Sequence, residues 1–124
     1  MSARTILYVE DNEMNRKIVR DLLKRTRYRL IEAHDGEAGV ATALAERPDL
    51  ILMDVQLPKM SGIEATRQLR AAPETAATPI LVITSFALSG DDQKARDAGA
   101  TGYLAKPYSP FDLLAMIRKH LPEG

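Results

Sequence analysis

Leu50-Ile51-Leu52-Met53-Asp54, followed by Gln56-Leu57-Pro58 and by Gly62, reads as a buried strand that delivers a carboxylate at its carboxyl end. Two other apolar runs stop at polar groups in the same way, Ile6-Leu7-Tyr8-Val9 at Glu10-Asp11 and Ile80-Leu81-Val82-Ile83 at Thr84-Ser85. A fourth, Tyr103-Leu104-Ala105, stops at Lys106-Pro107. In a parallel α/β sheet the carboxyl ends of the strands share one edge, so groups dozens of residues apart converge in one crevice there. The inventory is three carboxylates, a hydroxyl and an ammonium, an oxygen-rich set suited to a hard divalent cation such as Mg²⁺. Two carboxylates about 5 Å apart repel by roughly 3 kcal/mol at an effective dielectric near 20, so three together call for a counter-charge.

Outward from these runs, short β-rich stretches alternate with longer segments of helical period, the pattern of a right-handed α/β fold around a parallel sheet. Strands are expected near 5 to 9, 29 to 33, 50 to 54, 79 to 84 and 102 to 105. The first helix, near 13 to 26, has Asn12 as a cap and Ile18, Val19, Leu22 and Leu23 on one stripe, with a basic opposite face. Asp35 caps a second helix carrying Ala38, Ala41, Leu44 and Ala45, which Pro48 cannot continue. Ser61 caps a third, with Glu64 at the capping-box offset. The fourth, roughly 88 to 98, has only Leu88, Ala95 and Ala98 as apolar anchors and should be loosely held. Ser109 and Pro110 open the last helix, whose core stripe is expected to be Phe111, Leu114, Ile117 and Leu121, with Leu113 and Met116 on an apolar flank open to a partner.

A length of 124 residues suits a single domain, 1–124, able to bury about two thirds of its unfolded surface. Lys plus Arg equal Asp plus Glu at 17 each, which argues against whole-domain attraction to nucleic acid or to an anionic membrane. The basic cluster Arg16, Lys17, Arg20, Lys24, Arg25, Arg27 and Arg29 reads first as a solvated helix face and second as a docking face for an acidic partner. It reads last as a DNA surface, because no stacking platform or helix-turn-helix signal accompanies it. There is no Cys, hence no disulfide, thiolate metal site or cysteine nucleophile. No run approaches the about 20 apolar residues that span a bilayer, and the expectation is a soluble, cytoplasmic domain.

A carboxylate can attack phosphorus to give an acyl phosphate once the charges are neutralised, and phosphoryl transfer is mostly positioning and electrostatics. Glu10, Asp11 and Asp54 supply carboxylates, Thr84 a hydroxyl able to donate to a phosphoryl oxygen, and Lys106 a point charge of the kind that binds phosphate. Val9-Glu10-Asp11-Asn12, Leu52-Met53-Asp54, Pro58, Gly62, Thr84 and Tyr103 ahead of Lys106-Pro107 together resemble the receiver domain of bacterial two-component response regulators. Within that family the phrases Asp54-Val55-Gln56-Leu57-Pro58 and Ser89-Gly90-Asp91 are similar to DivK-type single-domain regulators and to receivers of hybrid histidine kinases.

The resemblance implies a flavodoxin-like (CheY-like) five-stranded parallel sheet of order 2-1-3-4-5 flanked by five helices. It implies Asp54 as phosphoacceptor, Mg²⁺ held by Asp11, Asp54 and the main-chain carbonyl of Gln56 with help from Glu10, and Lys106 on the acyl phosphate. The Lys106–Pro107 bond would be a cis-peptide, and Thr84 with Tyr103 the switch pair. Gln56 and Phe86 would tune phosphoryl lifetime, Phe86 toward slow self-dephosphorylation because it cannot hydrogen-bond an attacking water. The implied partners are a histidine kinase or phosphotransfer protein and a downstream protein target on the face of the fourth helix, fifth strand and fifth helix. The domain itself would be a monomer or weak dimer, and a switch rather than a turnover enzyme. A haloacid-dehalogenase-type phosphatase shares the Asp, Thr or Ser, Lys and Mg²⁺ set, but usually carries Asp two residues after its nucleophile, where this chain has Gln56. A degenerate receiver is disfavoured by the presence of the acidic pair, Asp54 and Lys106.

Overall fold

The computed structural model describes residues 3–84 and 90–123. Strands β1 (Thr5–Val9), β2 (Arg29–Ala33), β3 (Leu50–Asp54), β4 (Ile80–Thr84) and β5 (Gly102–Ala105) alternate with helices α1 (Glu13–Leu23), α2 (Gly36–Glu46), α3 (Gly62–Ala71), α4 (Asp91–Ala98) and α5 (Pro110–His120). The sheet is parallel in the order β2-β1-β3-β4-β5, as the family resemblance implies.

The period-2 alternation of a strand sorts the three interior strands between two cores. Ile6, Tyr8, Leu50, Leu52, Leu81 and Ile83 face α1 and α5, packing with Val19, Leu23, Leu113, Ile117 and Leu121. Leu7, Val9, Ile51, Met53, Ile80 and Val82 face the other layer, with Ala43 of α2, Ala65 and Leu69 of α3, and Ala95 of α4. These strand residues are fully buried, which explains why their sequences read as unbroken apolar runs.

Several local expectations need correction. Helix α1 ends at Leu23, not near residue 26: Lys24 is its C-cap, and the Thr26 hydroxyl donates to the Leu23 carbonyl at 2.6 Å, turning the chain toward β2. Its supposedly basic face is largely neutralised. Arg16 is buried, its guanidinium donating to the Glu10 carbonyl at 2.9 Å and pairing with Glu13 and Glu32, while Arg20 grips Glu32 and Lys17 pairs with Asp21. Helix α2 turns Gly36, Gly39 and Ala43 inward and leaves Ala41 and Ala45 exposed, because residues without bulk let it lie close on the sheet; a Cβ on Gly39 would stand 2.8 Å from Val9. Only half of the capping box at α3 forms: Ser61 accepts from the Glu64 N–H, but the Glu64 carboxylate turns to Arg67 and Gln68. On α5 the buried stripe is Leu113, Ile117 and Leu121, and Phe111 is 81% exposed. Steps of four drift about 40° around a helix and steps of three about 60° the other way, so two steps of three carry Phe111 about 120° from Ile117.

The short helix α4 has Gly90 as its N-cap, without a side-chain cap bond, and buries Ala95 and Ala98. Its other end is tied down by Arg70 of α3, whose guanidinium donates to the carbonyls of Gly99 (2.8 Å), Thr75 (3.1 Å) and Thr78 (2.7 Å) and to the Thr101 hydroxyl (3.0 Å). Leu88 lies outside the described residues.

Candidate functional site at the carboxyl edge of the sheet

Glu10, Asp54 and Lys106 meet at the carboxyl edge. The Lys106 ammonium donates to Asp54 Oδ2 at 2.9 Å and to Glu10 Oε1 at 3.2 Å, joining the ends of β1 and β3 to the loop after β5. Both carboxylates are buried, with Asp54 3% and Glu10 1% exposed. The Lys106–Pro107 peptide bond is cis. Gln56 N–H donates to Asp54 Oδ1 at 3.0 Å, and the Gln56 side-chain amide reaches the Thr84 hydroxyl at 3.4 Å, placing Thr84 beside the phosphoacceptor candidate.

Thr84 and Tyr103 share one face of the sheet. Thr84 has the parity of Ile80 and Val82, which belong to the α2–α4 core, and Tyr103 packs against that core opposite Val82 in register. Asp11 is exposed at the rim. Phe86, expected to tune phosphoryl lifetime, lies outside the described residues.

Glu10 is held by more groups than the sequence suggested. Its Oε1 accepts from the Tyr8 hydroxyl (3.2 Å), the Asn15 amide (3.2 Å) and Lys106, and its Oε2 from the Asn12 N–H (3.2 Å). Asn15 sits on α1 with its N–H on the Asn12 side chain at 2.9 Å, and Arg16 secures the Glu10 carbonyl. The Asn12-x-x-Asn15-Arg16 spacing is the sequence signal for this collar, legible once Asn12 is taken as the cap of a helix that starts beside the acidic pair.

The donor set fits a divalent cation of the Mg²⁺ type. Among the described residues no three Asp, Glu or His side chains form a metal cage by themselves. Mg²⁺ needs none: it keeps several waters and is commonly held by one or two carboxylates. An ionised carboxylate has about four acceptor positions. Asp54 uses two of them on Gln56 and Lys106, while Glu10 uses one on each of its four donors. Asp54 therefore keeps two positions open, Glu10, with three donors crowded on Oε1, keeps one on Oε2, and the exposed Asp11 adds a further carboxylate at the rim.

The charges of the site shift the proton affinities of its neighbours. Burial alone would lower the Lys106 ammonium, but its hydrogen bond to Asp54 and the charges of Asp54 and Glu10 outweigh that and hold it above its ordinary 10.5. Burial drives the Tyr8 phenol well above its usual range, with help from Tyr108, Glu10 and Asp54, and burial raises Tyr108 as well. All three groups keep their protons more tightly in the fold than in the unfolded chain. Their contribution to stability is thus complete below the ordinary tyrosine value of 10.0 and is lost as pH rises beyond it, when the unfolded chain releases protons that the fold retains. The urea midpoint is expected to hold level from pH 7 to about 10 and then fall steeply; a midpoint still level at pH 11 would contradict this assignment.

A five-stranded parallel sheet of this order, with buried acids, a hydroxyl and a cis-prolyl lysine along its carboxyl edge, defines a CheY-like domain. The chain belongs to the response regulator receiver domain family, whose model matches residues 6–118. It is 38% identical to the polar-differentiation response regulator DivK of Brucella anthropi over 121 residues, 98% of each chain, and 37% identical over the same span to that of Brucella ovis. Among solved structures it is similar to the receiver domain of a sensor histidine kinase from Pseudomonas aeruginosa, which carries a magnesium ion in its active-site cleft (37% identity, TM-score 0.88, covering 94% of this chain and 96% of that one). It is also similar to the chemotaxis response regulator CheY4 of Vibrio cholerae (33% identity, TM-score 0.89, covering 95% and 98%). Receiver domains are phosphorylated signalling switches of two-component systems. No described helix is long and apolar enough to cross a membrane.

Proposed function

We propose that this domain accepts a phosphoryl group on Asp54 from a histidine kinase or phosphotransfer protein and changes its affinity for a downstream protein partner in response. The observation that carries the reading is the Lys106 ammonium shared between Asp54 and Glu10, with the Thr84 hydroxyl one side chain away. In the transfer, an Asp54 carboxylate oxygen forms a bond to phosphorus as the bond from phosphorus to the donor breaks, and the electron pair leaves with the donor. Lys106, already on Oδ2, compensates the charge carried onto Asp54, and Thr84 is placed to donate to a phosphoryl oxygen. Mg²⁺, held by Asp11, Asp54 and the Gln56 main-chain carbonyl with Glu10 supporting through its Oε2 side, would supply the further positive charge an anion needs to approach an anion. Movement of Thr84 toward the phosphoryl group would free space on the face it shares with Tyr103, which is the basis for assigning them as the switch pair.

A groove supports docking of the donor beside this site. A cavity of ≈ 350 Å³ lined by Asn15, Ile18, Lys106, Pro107, Tyr108 and Pro110 opens next to Lys106 and shares Ile18 and Pro110 with one of ≈ 440 Å³ whose lining combines Leu22, Phe111 and Leu114 with the charged Asp21, Arg25 and Arg118. Ile18 is 47% exposed and Phe111 81%, an apolar surface of the kind a partner helix covers.

The test is intact mass after incubation with Mg²⁺ and acetyl phosphate, beside Asp54→Asn and a metal-free sample. One added phosphoryl group, absent from both controls, is the expected result. Steady donor hydrolysis without an adduct would replace this reading with a phosphatase.

A further inference from the structure

The phenol of Tyr8 is out of place for a core residue. It sits mid-strand in β1, between β2 and β3, flanked by Leu7 and Val9, and is 0% exposed. Phenylalanine would fill the same space without a buried hydroxyl, which is costly to desolvate unless it is hydrogen-bonded. The hydroxyl donates to Glu10 Oε1, two residues along on the same face of the strand, and also lies within hydrogen-bond reach of the Tyr108 side chain. The same oxygen takes the Asn15 amide from α1 and the Lys106 ammonium from the loop after β5.

Three donors on one oxygen fix the carboxylate's orientation: Oε1 is occupied, and Oε2, held by a single backbone N–H, is the atom left to face a cation or its water shell. We propose that Tyr8 is a positioning residue for the divalent-cation site, acting with Asn15 through Glu10, which it locks with Oε2 toward the cation. This rests on the reading of the domain as an Mg²⁺-assisted phosphoacceptor. Outer partners of metal-binding groups commonly contribute 10- to 100-fold in metal affinity by holding those groups in place, and Tyr8 is expected to act at the lower end because Lys106 and Asn15 remain.

The experiment titrates Mn²⁺ into the intact chain and follows the free ion by electron paramagnetic resonance. Tyr8→Phe keeps the ring, so the fold is expected to persist, and the Mn²⁺ dissociation constant is expected to rise about 10-fold. Asn15→Ala, at a half-buried position on α1, should weaken binding through the same carboxylate. In a Glu10→Ala background Tyr8→Phe should change nothing further, a pattern that general loosening of the core would not produce. Unaltered Mn²⁺ affinity in both single variants, or the full loss repeated without Glu10, would overturn the proposal. The Asp54 adduct measured in the same samples separates the two readings: a wild-type chain that binds Mn²⁺ yet takes no phosphoryl group counts against the wider function alone.

Discussion

Gly62→Ala is expected to destabilise the domain by about 3 kcal/mol or more, enough to leave much of it unfolded at moderate temperature. The position is the first residue of α3, with ordinary helical neighbours and a well-formed Ser61 cap, so propensity alone would make alanine an improvement. The obstacle is close approach. A Cβ there would stand 1.9 Å from the Asp54 carbonyl oxygen and 2.7 Å from its carbon, and both are backbone atoms that no rotamer change can move. The Gly62 N–H also donates to the Val55 carbonyl at 3.0 Å, so the helix start and the end of β3 are locked together. Whatever shift admits the methyl group must therefore strain the joint between α3 and the strand end that carries Asp54. Gly90→Ala is the control: its φ of +84° costs the substitution roughly 1 to 2 kcal/mol of left-handed strain, but nothing among the described residues lies within 4 Å of the added Cβ. Urea denaturation of the two variants should rank them in that order, and equal midpoints would rule out the steric account.

That contact explains what could and could not be read in the chain. The strands were legible because every interior one is buried on both faces, and the site was legible because each apolar run stops at a group with chemistry. Gly62 was legible as a companion of Asp54, but not as the residue that lets a helix start touch a strand end, since distance between backbones has no sequence signature. Arg16 read as solvent-facing charge. It is instead buried against the Glu10 carbonyl, because two carboxylates, Glu13 one turn back on the same helix and Glu32 on β2, make its burial tolerable. Tyr8 read as one more apolar residue of a strand, since its hydroxyl has a purpose only through Glu10 two residues on and Tyr108 beyond β5, both brought to it by the fold. On α5 the error was one of angle: Phe111 and Leu113 are both apolar, and the choice between them is made by which stripe meets β1, β3 and β4.

Lys106→Met should slow phosphoryl uptake on Asp54 from a small donor by about 100- to 1,000-fold at saturating Mg²⁺, the scale at which removal of one preorganised charge-stabilising donor is felt. Methionine matches the stem of lysine but carries no charge. It therefore leaves Asp54 and Glu10, 3% and 1% exposed, without the ammonium that now links them at 2.9 and 3.2 Å. Removing one member of a buried ion pair commonly costs about 3 to 5 kcal/mol, and the 21% exposure of the Lys106 side chain argues for the lower figure. Rate and stability can be separated with Lys106→Arg. A guanidinium restores the counter-charge and hence most of the stability. It spreads that charge over a planar fork that cannot stand as a point between two carboxylates, so most of the rate loss should remain. Quench-and-mass measurement of the adduct against time, beside urea midpoints for the three chains, tests both halves. Uptake at the wild-type rate in Lys106→Met would remove the ammonium from the transfer step and leave it a purely structural cross-link between β1, β3 and the loop after β5.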